Sequence, residues 1–254
     1  MSTKKQIKLD ETKFLEILNK NEKVLFIFDY DGTLTELVRD HNAAVMTDEQ
    51  IALVNKLTKA PNTKVSIVTG RALDNLKFLL GDRLDKSVLL YGTHGAEAGE
   101  AIVDETIQKP LAEIRAELES EEHILFEDKP ISLTIHYKTH PDQKALILKL
   151  EKIAKRYTEL FRVQKGHQVF EYLPKHIDKG LAIRDLHNKY KDYLLIFLGD
   201  DLTDNFGFKV INEIDGVSIQ VGERIQEREA GYLIDRVDDT YKLIDLYLKK
   251  QNCL

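Results

Sequence analysis

The chain is poor in the groups that would make it a secreted, membrane or nucleic-acid-binding protein. Its single cysteine, Cys253, leaves neither a disulfide framework nor a thiolate metal cage available, and reads as an incidental residue. No apolar run approaches the length of a membrane-spanning helix. Met1-Ser2-Thr3-Lys4-Lys5-Gln6 is followed by no apolar h-region, so no secretory signal is expected and the expected compartment is the cytosol. Positive charge is not in excess: the net charge is −6, which makes a nucleic-acid backbone an unexpected partner. A small anionic substrate stays open wherever cations gather locally. Internal repeats, low-complexity tracts and long linkers are missing too.

What is present is an ordinary globular composition, 43% hydrophobic and 31% charged over 254 residues. That length suits one large domain, or one domain carrying a smaller insertion. Short apolar runs at 24–28, 64–68 and 87–91 alternate with helix-like stretches at 48–58 and 72–80. The rhythm returns late, with helical patterns at 180–190, 204–211 and 240–249 and strand-like runs at 193–198, 217–221 and 232–234. Such βαβ alternation predicts an α/β core with a doubly wound parallel sheet built from both ends of the chain. The middle breaks the rhythm. A helix is expected at 111–119, β-like runs at 123–127 and 132–137 around Asp128-Lys129-Pro130, and a helix opened by Pro141 running to about 157. Two more β-like runs, 160–164 and 168–173, flank Lys165-Gly166-His167. This reads as an inserted α+β module at 99–176, with 1–98 and 177–254 forming the core.

Four segments carry candidate chemistry. Asp29 and Asp31 follow the continuous apolar run Val24-Leu25-Phe26-Ile27-Phe28, with the turn residue Gly32 after them. Ligands of open α/β sheets sit at such carboxyl ends, and two neighbouring acids there need a cation, a shared proton or a chemical role. Thr69-Gly70-Arg71 ends a second buried-looking strand and offers a hydroxyl and helix N-terminal amides to a phosphate. Lys179 opens a helix after the inserted module, and Gly199-Asp200-Asp201-Leu202-Thr203-Asp204 ends a third strand in acids. Together they suggest phosphoryl transfer, with Asp29 as covalent nucleophile and Asp31 as proton donor and then base. Like charges 4 Å apart repel by ~4 kcal/mol at an effective dielectric of 20, so a phosphate can approach Asp29 only if cations offset the repulsion. Lys179 is one such cation. A Mg2+ held by Asp29, Asp200, the backbone carbonyl of Asp31 and, next in order, Asp204 is the other. Taken singly, each segment has a plainer reading: loop acids, a helix start, a surface lysine, or helix capping by Asp201 or Asp204.

In that order, Asp29-Tyr30-Asp31-Gly32-Thr33-Leu34-Thr35, Thr69, Lys179 and Gly199-Asp200-Asp201-x-x-Asp204 resemble the four motifs of the haloacid dehalogenase (HAD) superfamily of phosphatases. The resemblance implies a HAD-like core with a C2-type cap inserted between the second and third motifs. It implies Asp29 as nucleophile, Asp31 as acid and base, Thr69 and Lys179 as phosphate ligands, and Asp200 and Asp204 on the magnesium side. More narrowly, Gly92-Thr93-His94-Gly95-Ala96-Glu97, Glu127-Asp128-Lys129, Ser132-Leu133-Thr134-Ile135-His136-Tyr137, and Gly166 through Glu171 and Pro174 to Lys179-Gly180 are similar to signatures of trehalose-6-phosphate phosphatases. By position, that family's sugar contacts would fall on Glu127, Lys129, His136 and Glu171; Arg71 and His94, each at a strand end, are further substrate-binding candidates, with pairing to a core acid the plainer reading of Arg71 and ordering of its own loop that of His94. Two departures stand out: Asn205 where the family more often has an acid, and Thr69 where it often has serine.

The resemblance thus implies a Mg2+-dependent hydrolysis of trehalose 6-phosphate to trehalose and phosphate. Rival readings are a phosphatase for sucrose, mannosylglycerate, glucosylglycerate or glucosylglycerol phosphates, between which the core motifs do not choose, and a non-catalytic sugar-phosphate sensor. Nothing in the sequence specifies a synthase partner, and nothing excludes one.

Overall fold

The structure, a computed structural model, describes residues 6–38, 40–98, 100–101, 105–166, 168–223 and 229–253. Three sequence expectations therefore lie outside the described residues: those for the first five residues, for Gly99 at the module boundary, and for His167 in the turn after Gly166. The chain divides into two compact units, Met1–Gly99 with Asp178–Leu254, and Glu100–Ile177.

The first unit opens with β1 (Ile7–Lys8), α1 (Glu11–Leu18), β2 (Val24–Phe28), α2 (Asp48–Lys59), β3 (Thr63–Val68), α3 (Leu73–Leu80), β4 (Leu89–Gly92) and β5 (Glu97–Ala98). The second contains β6 (Glu100–Ala101), α4 (Glu105–Glu117), β7 (Leu125–Asp128), β8 (Leu133–His136), α5 (Gln143–Ala154), β9 (Phe161–Gly166) and β10 (Val169–Pro174). The chain then returns to the first with α6 (Lys179–Lys189), β11 (Leu194–Gly199), α7 (Asp204–Glu213), β12 (Val217–Val221), β13 (Tyr232–Ile234) and α8 (Val237–Lys250).

In the first unit the strands lie in the order β1-β13-β12-β11-β2-β3-β4-β5, parallel throughout except for β5. The continuous apolar character of β2 follows from its central place. Val24, Phe26 and Phe28 pack with Phe14, Val54 and Tyr247 from α1, α2 and α8, whereas Leu25 and Ile27 pack on the other face with Ile183 and Ile211 from α6 and α7. Strand order reverses between β2 and β11: β3 and β4 follow on one side, β12 and β13 on the other. At such a switch point the loops after adjacent strands diverge and leave a crevice at their carboxyl ends. Asp29 and Asp200 are the residues that directly follow those two strands.

The second unit holds an antiparallel sheet in the order β7-β8-β10-β9. Register pairs Glu127 with Thr134, Thr134 with Glu171 and Glu171 with Gln164, so these four form one row across a single face. Phe126, Ile135, Phe170 and Tyr172 take the opposite face, where the Tyr172 hydroxyl donates to the Leu150 carbonyl of α5 at 2.8 Å.

Several local expectations need correction. α1 has no counterpart among the helices expected from the sequence, although Asp10 caps it and its Phe14 and Leu18 lie one turn apart on a buried stripe. α4 begins at Glu105 and runs through Pro110, because Ile107, Leu111 and Ile114 bury one continuous face across the proline. Pro141 does not open α5. Asp142 is the cap, accepting from the Ala145 amide at 2.9 Å, and the helix starts at Gln143. His123 has φ +64°, so β7 starts two residues later, at Leu125.

Candidate active site

Four parallel strands, β11, β2, β3 and β4, deliver their carboxyl-end loops side by side. Asp29 continues β2, its amide donating to the Leu198 carbonyl at 2.9 Å, and the residue is 5% exposed. The chain then turns tightly: Leu34 and Thr35 amides donate to the Tyr30 carbonyl, and the Gly32 amide to Thr35. Gly32 has φ +78°, and a Cβ at that position would collide with the Asp200 carboxylate. Glycine is required here on both counts.

Oxygens of Asp29, Asp200 and Asp204 all lie within 4.8 Å of one another, and all three residues are buried. The Lys179 ammonium lies 2.7 Å from Asp29 Oδ1 and 2.6 Å from Asp204 Oδ1, itself 2% exposed. Burial pushes the Asp29 carboxyl well above the usual carboxylate range; Lys179 opposes this, while Asp204 and Asp200 reinforce it. Burial also works against the Lys179 ammonium, but Asp204 and Asp29 outweigh it and hold its pKa above that of ordinary lysine. Two of the three buried carboxylates thus share one ammonium. These donors fit a hard divalent cation: they are oxygens only, mutually close, and in need of further positive charge.

Asp204 does more than sit in this cluster. Its Oδ2 accepts from the Asp200 and Asp201 amides, both at 2.9 Å, so it braces the loop that carries Asp200. The cap of α7 is Thr203, without a side-chain hydrogen bond. The reading of Asp204 as a cap for its own helix is therefore corrected: it reaches backward, toward the loop.

The sequence places Asp31 near the metal through its backbone carbonyl, and its side chain is engaged elsewhere. Arg71 holds it in a fork, Nε to Oδ2 at 2.7 Å and Nη2 to Oδ1 at 2.6 Å. The remaining Arg71 Nη1 donates to Asn75 Oδ1 at 2.8 Å, and the guanidinium lies 5.6 Å from the Tyr30 ring centroid. Thr69 is not the cap of α3, which starts four residues later; its Oγ1 accepts from the Arg71 amide at 3.2 Å. The Thr69-Gly70-Arg71 turn is clamped by the next loop. Thr93 and His94 amides donate to the Arg71 and Thr69 carbonyls at 2.7 and 2.8 Å, and a Cβ on Gly70 would strike the His94 ring. Thr93, His94 and Gly95 all have positive φ, a strained run for a β-branched residue.

Glu97 carries a structural task that the sequence did not single out. Its buried carboxylate accepts from the Leu73 amide and so caps α3 from across the turn. The signal was a lone acid inside Gly92–Glu97, two residues past a glycine, which is too weak to name a cap 24 positions away.

The four residues expected to meet a sugar lie together in the second unit. Lys129 Nζ is 3.1 Å from Glu171 Oε1, which also accepts from Ser132 Oγ at 2.7 Å. Glu127 Oε2 is 3.0 Å from His136 Nε2, and its Oε1 is 3.9 Å from Lys129. The side chains of Lys129 and Glu171 are only 7% and 8% exposed, which rules out solvated surface charges. The His136 hydrogen bond holds Glu127 below the usual carboxylate range; burial opposes it and Lys129 assists.

Comparison with known proteins identifies the family. The trehalose-phosphatase family model matches residues 27–232. A probable trehalose-phosphate phosphatase of Sinorhizobium fredii (strain NBRC 101917 / NGR234) is 28% identical over 215 residues, covering 80% of this chain and 79% of that protein. The trehalose-6-phosphate phosphatase of Escherichia coli (strain K12) is 26% identical over 239 residues, 88% of this chain and 86% of its own length. Among solved structures, the C-terminal domain of C. albicans trehalose-6-phosphate phosphatase shares the fold with a TM-score of 0.78 at 23% identity, covering 97% of this chain and 99% of that one. With two adjacent strand-end loops carrying these acids and a family match over most of its length, the chain belongs to the trehalose-phosphatase family of the HAD superfamily and is a phosphoric monoester hydrolase.

Proposed function

We propose that the chain hydrolyses trehalose 6-phosphate to trehalose and inorganic phosphate through a phosphoryl-Asp29 intermediate, with Mg2+ as its cation. The observation that carries this reading is the buried cluster of Asp29, Asp200 and Asp204 at the switch point of the sheet, with the Lys179 ammonium paired to Asp29 and Asp204. Asp29, Asp200 and Asp204 would hold the cation, with the Asp31 carbonyl beside them; once bound, it neutralises charge on the transferring phosphoryl group and keeps Asp29 ionised. Lys179 supplies fixed positive charge against the phosphate, and the Thr69 hydroxyl, which accepts from the Arg71 amide, keeps its proton to donate to a phosphate oxygen. An Asp29 oxygen attacks phosphorus, the bond from phosphorus to the sugar oxygen breaks, and Asp31 gives its proton to the leaving alkoxide. A water then attacks phosphorus, Asp31 takes the proton of that water, and the bond between Asp29 and phosphorus breaks.

Both Asp31 oxygens accept from Arg71 in the structure, so one arm of that fork opens before Asp31 carries a proton. We therefore assign Arg71 to holding Asp31, and His94 to holding the Thr69-Gly70-Arg71 turn, rather than giving either a direct sugar contact. Glu127, Lys129, His136 and Glu171 form the sugar-recognising group of the second unit, which acts as the cap. The single cysteine supports a reducing, cytosolic setting, and among the described residues no helix is long and apolar enough to cross a membrane.

Chelator treatment tests the cation. Phosphate release from trehalose 6-phosphate should fall by at least about a hundredfold, since a Lewis-acidic cation supplies several kcal/mol of charge stabilisation, and return on adding Mg2+. Undiminished release after exhaustive chelation would contradict the proposed chemistry.

A further inference from the structure

Thr134 occupies the middle of the polar row in the second unit. It is the register partner of Glu127 on β7 and of Glu171 on β10, so its hydroxyl lies between two carboxylates on one face of the sheet. The residue is 3% exposed, and its Oγ1 is buried without a hydrogen-bond partner. Its neighbours are engaged with other groups: Glu127 with His136, and Glu171 with Ser132 and Lys129.

An unpaired buried hydroxyl destabilises the state in which it is unpaired. Valine has the same branched shape, suits a strand equally well and carries no such penalty. The hydroxyl is thus unexplained by packing and points to a second state in which it is satisfied. Carboxylates only accept hydrogen bonds, whereas sugar hydroxyls and threonine both donate and accept. Of the two flanking acids, Glu127 is the more accessible, 42% exposed against 8% for Glu171. It is the one with room to turn toward a ligand.

We propose that Thr134 is a positioning residue for sugar recognition: when Glu127 turns to accept from a sugar hydroxyl, the Thr134 hydroxyl donates to Glu127 and holds it in that orientation. This rests on the reading of Glu127 as a sugar-binding group.

The test measures KM and kcat for trehalose 6-phosphate, and the thermal midpoint without substrate, in the full chain and in Thr134→Val, Thr134→Ser, Glu127→Gln and the Val/Gln double variant. Thr134→Val should raise KM about five- to tenfold, the loss of one hydrogen bond to a charged group, while kcat changes less than about twofold. Its thermal midpoint should equal or exceed that of the unmodified chain. Thr134→Ser should restore KM, and Thr134→Val should add less than about twofold on top of Glu127→Gln, because the two act through one contact. An unchanged KM in Thr134→Val, an equal rise in Thr134→Ser, or a lowered midpoint would overturn the inference. If Glu127→Gln itself leaves KM unchanged, the sugar-binding reading of Glu127 fails as well; a raised KM there with none in Thr134→Val defeats this inference alone.

Discussion

Asp29→Asn should abolish turnover, lowering phosphate release by more than about a thousandfold, while the protein stays folded. The amide has nearly the shape of the carboxylate but no anionic oxygen to attack phosphorus. The backbone bond from Asp29 to Leu198 is untouched, and Lys179 keeps Asp204 as a partner at 2.6 Å. Removing one of three crowded acids also relieves repulsion from Asp200 and Asp204, which already pushes the Asp29 pKa upward. The lost ion pair and the relieved repulsion oppose each other, so stability should change by less than ~2 kcal/mol. Phosphate release together with a thermal melt separates the two effects. Substantial residual release from a well-folded variant would remove Asp29 as the nucleophile.

Lys179→Met should damage both activity and stability. The ammonium is the shared partner of Asp29 and Asp204, and all three side chains are at most 7% exposed. Breaking a buried pair by removing one member typically costs about 3–5 kcal/mol, because the remaining charge stays buried and uncompensated. Here two charges are stranded, and Asp204 is also the brace of the Asp200 loop. The pH dependence has a definite sign. Asp29 already has a folded pKa raised above its ordinary 3.8. Such a group contributes stability that is full below the unfolded pKa and is lost as pH rises through the folded one. Without Lys179 the folded pKa rises further, so the deficit of the variant should shrink as pH falls toward 4 from neutrality. The slope is roughly 1.4 kcal/mol for each pH unit over which Asp29 is protonated in the folded variant and ionised in the folded parent. Mg2+ should recover part of the deficit at neutral pH by binding the folded state alone. Denaturant melts at several pH values check this, and a variant as stable as the parent at pH 7 would contradict it.

The central strands and their acids were the most legible part of the chain. A strand buried on both faces has to be apolar throughout, and Val24–Phe28 and Leu194–Gly199 are; polar residues directly after such runs stand out without any knowledge of the fold. What stayed hidden depends on partners remote in sequence. Pairing with a core acid is one reading that Arg71 allows from sequence, but nothing local names Asp31 as that acid, because the 40 positions between them are closed only by the adjacency of β2 and β3. The backward reach of Asp204 is hidden for a different reason. An acid at a helix start has a common local use, and only the loop geometry shows that it serves Asp200 and Asp201 instead.

The second unit shows the same divide. Period-two alternation was visible in Ser132-Leu133-Thr134-Ile135-His136, and so was the acid at Glu171 between Phe170 and Tyr172. That Glu127, Thr134 and Glu171 form one row is a matter of strand register, which alternation alone leaves free. Thr134 does not stand out within Ser132-Leu133-Thr134-Ile135-His136-Tyr137, because threonine is common in strands. α1 is not legible in the sequence although its cap and its apolar spacing are both present, since eight residues give a weak periodic signal.

The core cluster accounts for phosphate removal and is indifferent to the sugar, so the claim that most needs testing concerns the substrate. The decisive measurement is phosphate release, with Mg2+ present, from equal concentrations of trehalose 6-phosphate, sucrose phosphate, mannosylglycerate and glucosylglycerate phosphates, glucosylglycerol phosphate and a monosaccharide phosphate. Membership of the trehalose-phosphatase family, with the polar row of the second unit as the recognising group, predicts a kcat/KM for trehalose 6-phosphate at least about tenfold above every other member, the discrimination expected when buried polar groups are left unpaired by the wrong sugar. A preference for any other member of the panel, or release from none of them, would contradict it.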